Sequence, residues 1–310
     1  MMEQKRKKRN LFTLLFKNGK NSKGGSNDVN LFGVPLSDAS NTGSILWGLQ
    51  VPDPVYLCFQ EICRKGLTTE GLFRLSGTAS EVIMLENQLN SYTPDERKRI
   101  DITQCDIHAL TSLVKKYLRC LPDPVIPTSF HDQFLETDVD DIASFGNIMM
   151  KLPFYNRQLL HAILLMSSKI QDHVHLNMMS PEALATVFAP ICTGFEQRIQ
   201  TFDFTPTKQD IHAQIATNRQ WTRIWKELIE ERALFIDMLH RQHYLENAWS
   251  RSLPSSPFSV TGTTPLPEEI FMAQFTPVIE VAKPNQDRLK KTSNSASTIR
   301  RIFTISTLRL

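Results

Sequence analysis

Arg74 is the residue whose surroundings most need a chemical reason. It stands in EGLFRLSG, residues 70–77, between Phe73 and Leu75, in a stretch closed by Gly71 and Gly77. The stretch is too short for an element and too apolar for an ordinary surface loop. Arginine stays charged at any working pH and presents a planar fork of donors. That suits it to neutralising phosphate charge in a transition state. From these residues alone, an arginine bonded to its own loop's carbonyls is the plainer reading. A second pair of cations, Lys115 and Arg119, has i, i+4 spacing and lies opposite the stripe Leu110, Leu113, Val114 and Tyr117. Neighbouring like charges on a helix repel slightly, so either an acidic partner meets them or they form a solvated basic face. Asp106 and His108 precede the same helix; one Asp near one His reads as a cap before it reads as a dyad.

Little else points to chemistry. The chain has no GxxxxGK[ST], HExxH or GxSxG motif. Its eight histidines show no metal-ligand spacing. Cys58, Cys63, Cys105, Cys120 and Cys192 form no CxxC pair. They read as small core residues in a reducing, cytosolic setting. The expectation is no metal, no resident cofactor and no hydrolytic site of the chain's own.

Helices must position these residues. From Val51 to about Leu239 the apolar spacing is helical almost throughout, with no alternating strands. Residues 31–50 read as an ordered lead-in. The first helix, VPDPVYLCFQEICRKG, opens on prolines and stops at Gly66. Thr78 and Glu81 predict a capping box for the second. The third spans about 108–121 and ends at LPDPVIP. Further helices are predicted over 139–151, 156–170, 180–188 and 207–239, the last with a Trp221, Ile224, Trp225, Leu228, Phe235, Ile236 and Leu239 stripe. The division is a basic arm over 1–30, a helical domain over 31–245 and a Pro-, Ser- and Thr-rich, then basic, tail over 246–310, with both ends disordered.

Charge follows this division. Residues 1–25 carry a formal +7 and residues 283–310 carry +6, so the rest carries −10 against a chain total of +3. An acidic body with basic ends excludes an ordinary nucleic-acid domain, whose basic patch lies on the fold. The apolar run Leu11–Phe16 is too short for a secretory signal, and no apolar stretch is long enough to span a bilayer.

Four segments in order resemble the RhoGAP domain family: FGVPL (32–36), GLTTEGLFRLSG (66–77), DIHALTSLVKKYLRCLPDPVIP (106–127) and the stretch 152–190 that ends in LATVFAP. The resemblance covers roughly residues 31–240. It implies an all-α, single-domain helical bundle that binds a GTP-loaded Rho-family small GTPase, Rho- or Rac-like, and speeds its hydrolysis. Arg74 matches the family's arginine finger. Gly71 and Gly77 would shape its loop, and Phe73 and Leu75 would anchor it. Lys115 and Arg119 match the basic pair that contacts the finger loop and the GTPase. Asn177, Ala183 and Pro190 complete the implied GTPase-binding set. Ala183 stands where the family commonly has an asparagine, and an alanine side chain cannot hydrogen-bond. Ala189 replaces the glycine of the family's FGP. GTP and Mg²⁺ would belong to the partner, so the chain would be an activator and not itself a hydrolase. The alternative is a Rho-GTPase-binding or adaptor module with weak or no catalysis.

The basic arm joins Lys5, Arg6, Lys7, Lys8 and Arg9 to Leu11 and Phe12. It reads as an anionic-membrane segment, as a nuclear signal over residues 5–9, or as a solubilising arm. The implied location is cytoplasmic, peripheral to membranes.

Overall fold

Prolines at 35, 52, 94, 153 and 181 stand at helix starts. A computed structural model describes residues 31–195 and 208–252. All of these fall in one compact unit. Helix α1 (Leu36–Asn41) starts after Pro35, and a small antiparallel hairpin follows: β1 (Ser44–Leu46) and β2 (Leu49–Val51), with Ser44 opposite Val51. Its two-residue turn, Trp47 and Gly48, has positive φ at both positions (51° and 82°), the backbone that matches strand twist in tight hairpins. Three-residue strands are too short to show a period of two, which is why the sequence reads as strandless there.

Helix α2 (Asp53–Glu61) begins at Pro52 and widens into a π turn over Ile62–Gly66. Helix α3 (Ala79–Ser91) departs from expectation at its start. The Thr78 side chain makes no capping bond, and the Glu81 carboxylate instead accepts from the Asp106 amide at 3.0 Å. A capping box does form at Thr93 and Glu96, on α4 (Pro94–Arg97). Helix α5 (Ile107–Cys120) is capped by the Asp106 side chain, which accepts from the Ala109 amide at 3.0 Å. A 3₁₀ turn (Thr128–Phe130) leads to α6 (His131–Glu136), α7 (Ile142–Lys151), α8 (Phe154–Gln171) and the one-turn α9 (Val174–Asn177). Helix α10 (Pro181–Cys192) runs through Pro190 and so outlasts the predicted end at 188. Pro190 has no amide hydrogen to donate to the carbonyl four residues earlier, so the helix gives up that bond and ends two residues later, at Cys192.

The spacing predicts one helix over 207–239; the structure has two, α11 (Lys208–Glu230) and α12 (Arg232–Ser252). Leu228, Phe235 and Leu239 keep helical spacing across the break, so periodicity cannot reveal it. Helix α12 also runs past the expected domain edge at 245. The basic arm with Lys5, Arg6, Lys7, Lys8, Arg9, Leu11 and Phe12, and the chain beyond 252, lie outside the described residues.

Helix α5 is the central strut. Its Leu110, Leu113, Val114, Tyr117 and Leu118 are buried, and it packs against α2, α3 and α10. Helices α10 and α11 form the most extensive helix pair, and α8 is covered by β2, α11 and α12. The fully buried rings of Phe188, Trp221 and Trp225 fill this centre, each worth several kcal/mol if truncated, about 3–5 for a core aromatic. Among the described residues no helix is long and apolar enough to cross a membrane.

Candidate functional site

The chain between the π turn and α3 reverses direction tightly, and two left-handed residues make that possible. Gly71 has φ 68°, and Phe73, although it carries a large side chain, has φ 67°. The Gly71 amide donates to the Asn177 carbonyl at 2.8 Å, and the Gly71 carbonyl accepts from the amides of Arg74 and Leu75, both at 2.9 Å. Left-handed backbone costs a non-glycine residue about 1–2 kcal/mol, so Phe73 must be held in place. Its ring is fully buried, 6.3 Å from Phe59 of α2 and 5.2 Å from Phe188 of α10 between ring centres. Because Phe73 turns the chain, Leu72 and Phe73 point inward and the next two residues point out. Arg74 is exposed. Leu75 is 47% exposed, so the anchor expected of it belongs to Leu72.

Helix α5 supplies the restraint. Lys115 is buried, and its Nζ donates to the Phe73 carbonyl at 2.7 Å and the Leu75 carbonyl at 3.4 Å. These carbonyls bracket Arg74. The solvated reading of Lys115 is therefore wrong: its stem crosses the apolar surface and only its charge reaches the loop. Ser112, one turn earlier, accepts from the Gly77 amide at 3.1 Å. Gly77 is pressed so closely on α5 that a Cβ there would fall 2.1 Å from the Ala109 nitrogen. Arg119, one turn beyond Lys115, is half-buried.

Asn177 is also placed differently from its expected contact with a partner. It is fully buried. Its Nδ2 donates to the carbonyls of Leu67 (2.8 Å) and Ile170 (2.9 Å), and its Oδ1 accepts from the Met179 amide at 2.9 Å. The side chain is used up inside the protein, where it ties the base of the Arg74 loop to the end of α8. Ala183 and Pro190, both half-buried, lie about two turns apart on α10, the helix whose Phe188 backs the loop. The Ala183 amide donates to the capping Ser180 hydroxyl at 3.2 Å.

Sequence reasoning did not single out Ser112, Leu72 or the inward role of Asn177. Ser112 precedes Lys115 by three positions and so shares its helix face, a usable signal. The role of Leu72 depends on where Phe73 turns the chain, and that of Asn177 on the approach of residue 67. Among the described residues, no group of three His, Cys, Asp or Glu side chains could hold a metal. What the site offers chemically is the exposed Arg74 guanidinium on an immobilised backbone.

A sequence model of the RhoGAP domain matches residues 52–196. Residues 52–196 are a RhoGAP domain. The α1–β1–β2 lead-in, α11 and α12 lie outside the matched range of this RhoGAP domain and pack onto its helices. The chain is 34% identical over 167 residues to Rho GTPase-activating protein 22 of Mus musculus, covering 52% of this chain and 23% of that protein. It is 32% identical over 167 residues to Rho GTPase-activating protein 24 of Homo sapiens, covering 52% and 22%. It is 31% identical over 170 residues to Rho GTPase-activating protein gacZ of Dictyostelium discoideum, covering 52% and 16%. The chain thus matches less than a quarter of the length of these relatives. The crystal structure of human Rho GTPase activating protein 15 superposes with a TM-score of 0.54 at 22% identity, over 67% of this chain and 92% of that one, a likeness of fold.

Proposed function

We propose that this protein is a GTPase-activating protein for a GTP-loaded Rho-family small GTPase, and that Arg74 is its arginine finger. The observation that carries the reading is the exposed Arg74 on a backbone held by Gly71, Phe73 and Lys115. The guanidinium would enter the partner's nucleotide site and offer its donors to the charge spreading over the transferring phosphoryl oxygens. Fingers of this kind contribute about 10³–10⁵ in rate. Holding the loop beforehand means that little ordering entropy is lost on binding. GTP and Mg²⁺ are the partner's; the RhoGAP domain contributes Arg74 in trans, with Lys115 as a positioning residue.

The test is single-turnover GTP hydrolysis by a panel of GTP-loaded Rho-family proteins, with wild type beside Arg74→Ala. Acceleration of at least one member by orders of magnitude, lost in the variant, supports the reading. Equal acceleration by both would remove Arg74 from the mechanism.

A second reading is favoured by Ala183, whose methyl group offers no hydrogen bond to a partner: a domain that binds the GTPase with little turnover. Tight binding without acceleration in the same panel would select it. We further propose that the basic arm over residues 5–12 recruits the protein from the cytoplasm to anionic membranes, which flotation with phosphatidylserine liposomes, with and without residues 1–25, decides.

A further inference from the structure

The turn at α9 displays apolar side chains that stability does not explain. Val174, Leu176 and Met178 are 36%, 50% and 58% exposed. Met178 also holds φ 58°, ψ 26°, the left-handed region that follows a helix and is usually filled by glycine or asparagine. A long apolar side chain there is unfavourable twice, in backbone conformation and in exposure to water. Strain of this kind gathers at functional positions.

The position of the turn shows what it faces. The Asn177 carbonyl accepts the Gly71 amide at 2.8 Å, so the turn is bonded to the Arg74 loop. The side chain of Leu75 lies over Gly71, with its Cγ 2.7 Å from where a Cβ on that glycine would stand, and Arg74 Nη2 is 3.7 Å from the same point. The guanidinium and the Leu75 side chain therefore meet over Gly71, whose amide is held by the carbonyl of the residue just before Met178. A partner that admits Arg74 to its nucleotide site must close over the loop and over the turn bonded to it.

We infer that Met178 and Leu75, with Leu176 and Val174, form an apolar rim that docks on an apolar patch bordering the nucleotide site of the GTP-loaded Rho-family GTPase. The inference rests on the function proposed above. The rim sets affinity and partner choice and not the hydrolysis step, because an apolar contact is made equally in the ground and transition states.

Met178→Gly and Met178→Asn test this, since both replacements tolerate left-handed backbone. Initial rates are measured over a range of GTP-loaded GTPase concentrations, with melting temperatures and with wild type and Arg74→Ala alongside. The expected result is a KM raised about fivefold to tenfold, as for loss of roughly half of a buried methionine. The kcat is retained, and the melting temperature is equal or higher. Arg74→Ala gives the opposite split, with kcat lost. Unchanged KM in both Met178 variants, with wild type active, overturns the rim and leaves the finger standing. A lowered kcat at unchanged KM overturns it by making Met178 a support of the loop, and a lowered melting temperature in both variants does so by making it a packing residue. A wild type that accelerates no member removes the proposed function and the rim together.

Discussion

Replacing Lys115 with methionine removes the cation that holds the Arg74 loop while keeping most of the buried stem. In the native structure Nζ serves the carbonyls of Phe73 and Leu75 at 2.7 and 3.4 Å. A hydrogen bond from a charged group is worth about 1.5–3 kcal/mol. Without it Phe73, at φ 67°, is held mainly by its ring, and the peptides around Arg74 are free to rotate. If the lost restraint falls on the placement of the guanidinium, each 1.36 kcal/mol is about tenfold in rate. The expected fall in single-turnover hydrolysis at saturating activator is then about 10- to 150-fold. Circular dichroism melting should show that the helices persist. The decisive comparison is Lys115→Met in an Arg74→Ala background. Because Lys115 acts through Arg74, it should cost little more once the finger is gone. An equal fall in both backgrounds would mean that Lys115 touches the partner directly, and the reasoning from the loop would be refuted.

Two further expectations concern the fold. Gly77→Ala puts a Cβ 2.1 Å from the nitrogen and 2.4 Å from the Cα of Ala109; backbone on α5 cannot swing aside, so urea denaturation should show a loss of about 2–4 kcal/mol. His161 is buried with its ring 4.6 Å from His240 on α12, and burial, then the nearness of His240 and His243, pushes its pKa down from 6.5 to about 3. The unfolded chain therefore binds the extra proton between those values, so stability falls as pH falls below 6.5. Between pH 7 and pH 5 this group alone removes about 2 kcal/mol. In His161→Leu, the difference in unfolding free energy between the two pH values should shrink by about that amount.

The sequence by itself determined the parts that depend on spacing along the chain. Apolar residues three and four apart marked α2, α3, α5, α8 and α11, because a helix repeats every 3.6 residues whatever packs against it. Prolines at 52, 94 and 181 stand at helix starts, where φ is already set and no amide bond is lost. Arg74 between two glycines was visible as an anomaly for the same local reason. The tertiary structure alone decided which way the side chains of that loop face. Leu72 and Leu75 are equally apolar, yet only the left-handed turn at Phe73 sends one inward and the other out. Lys115 and Arg119 look alike on a helical wheel, but the loop descends onto the first of them and buries it. Asn177 carries donors and acceptors that would suit a partner as well as a fold, and the approach of residue 67 to residue 177 commits them inward. Glu81 has a capping partner three residues away and bonds Asp106 instead, because α5 brings a free amide within reach. Local pattern sets what each segment can form; contacts between segments distant in sequence, which no spacing encodes, set which of its groups remain for a partner.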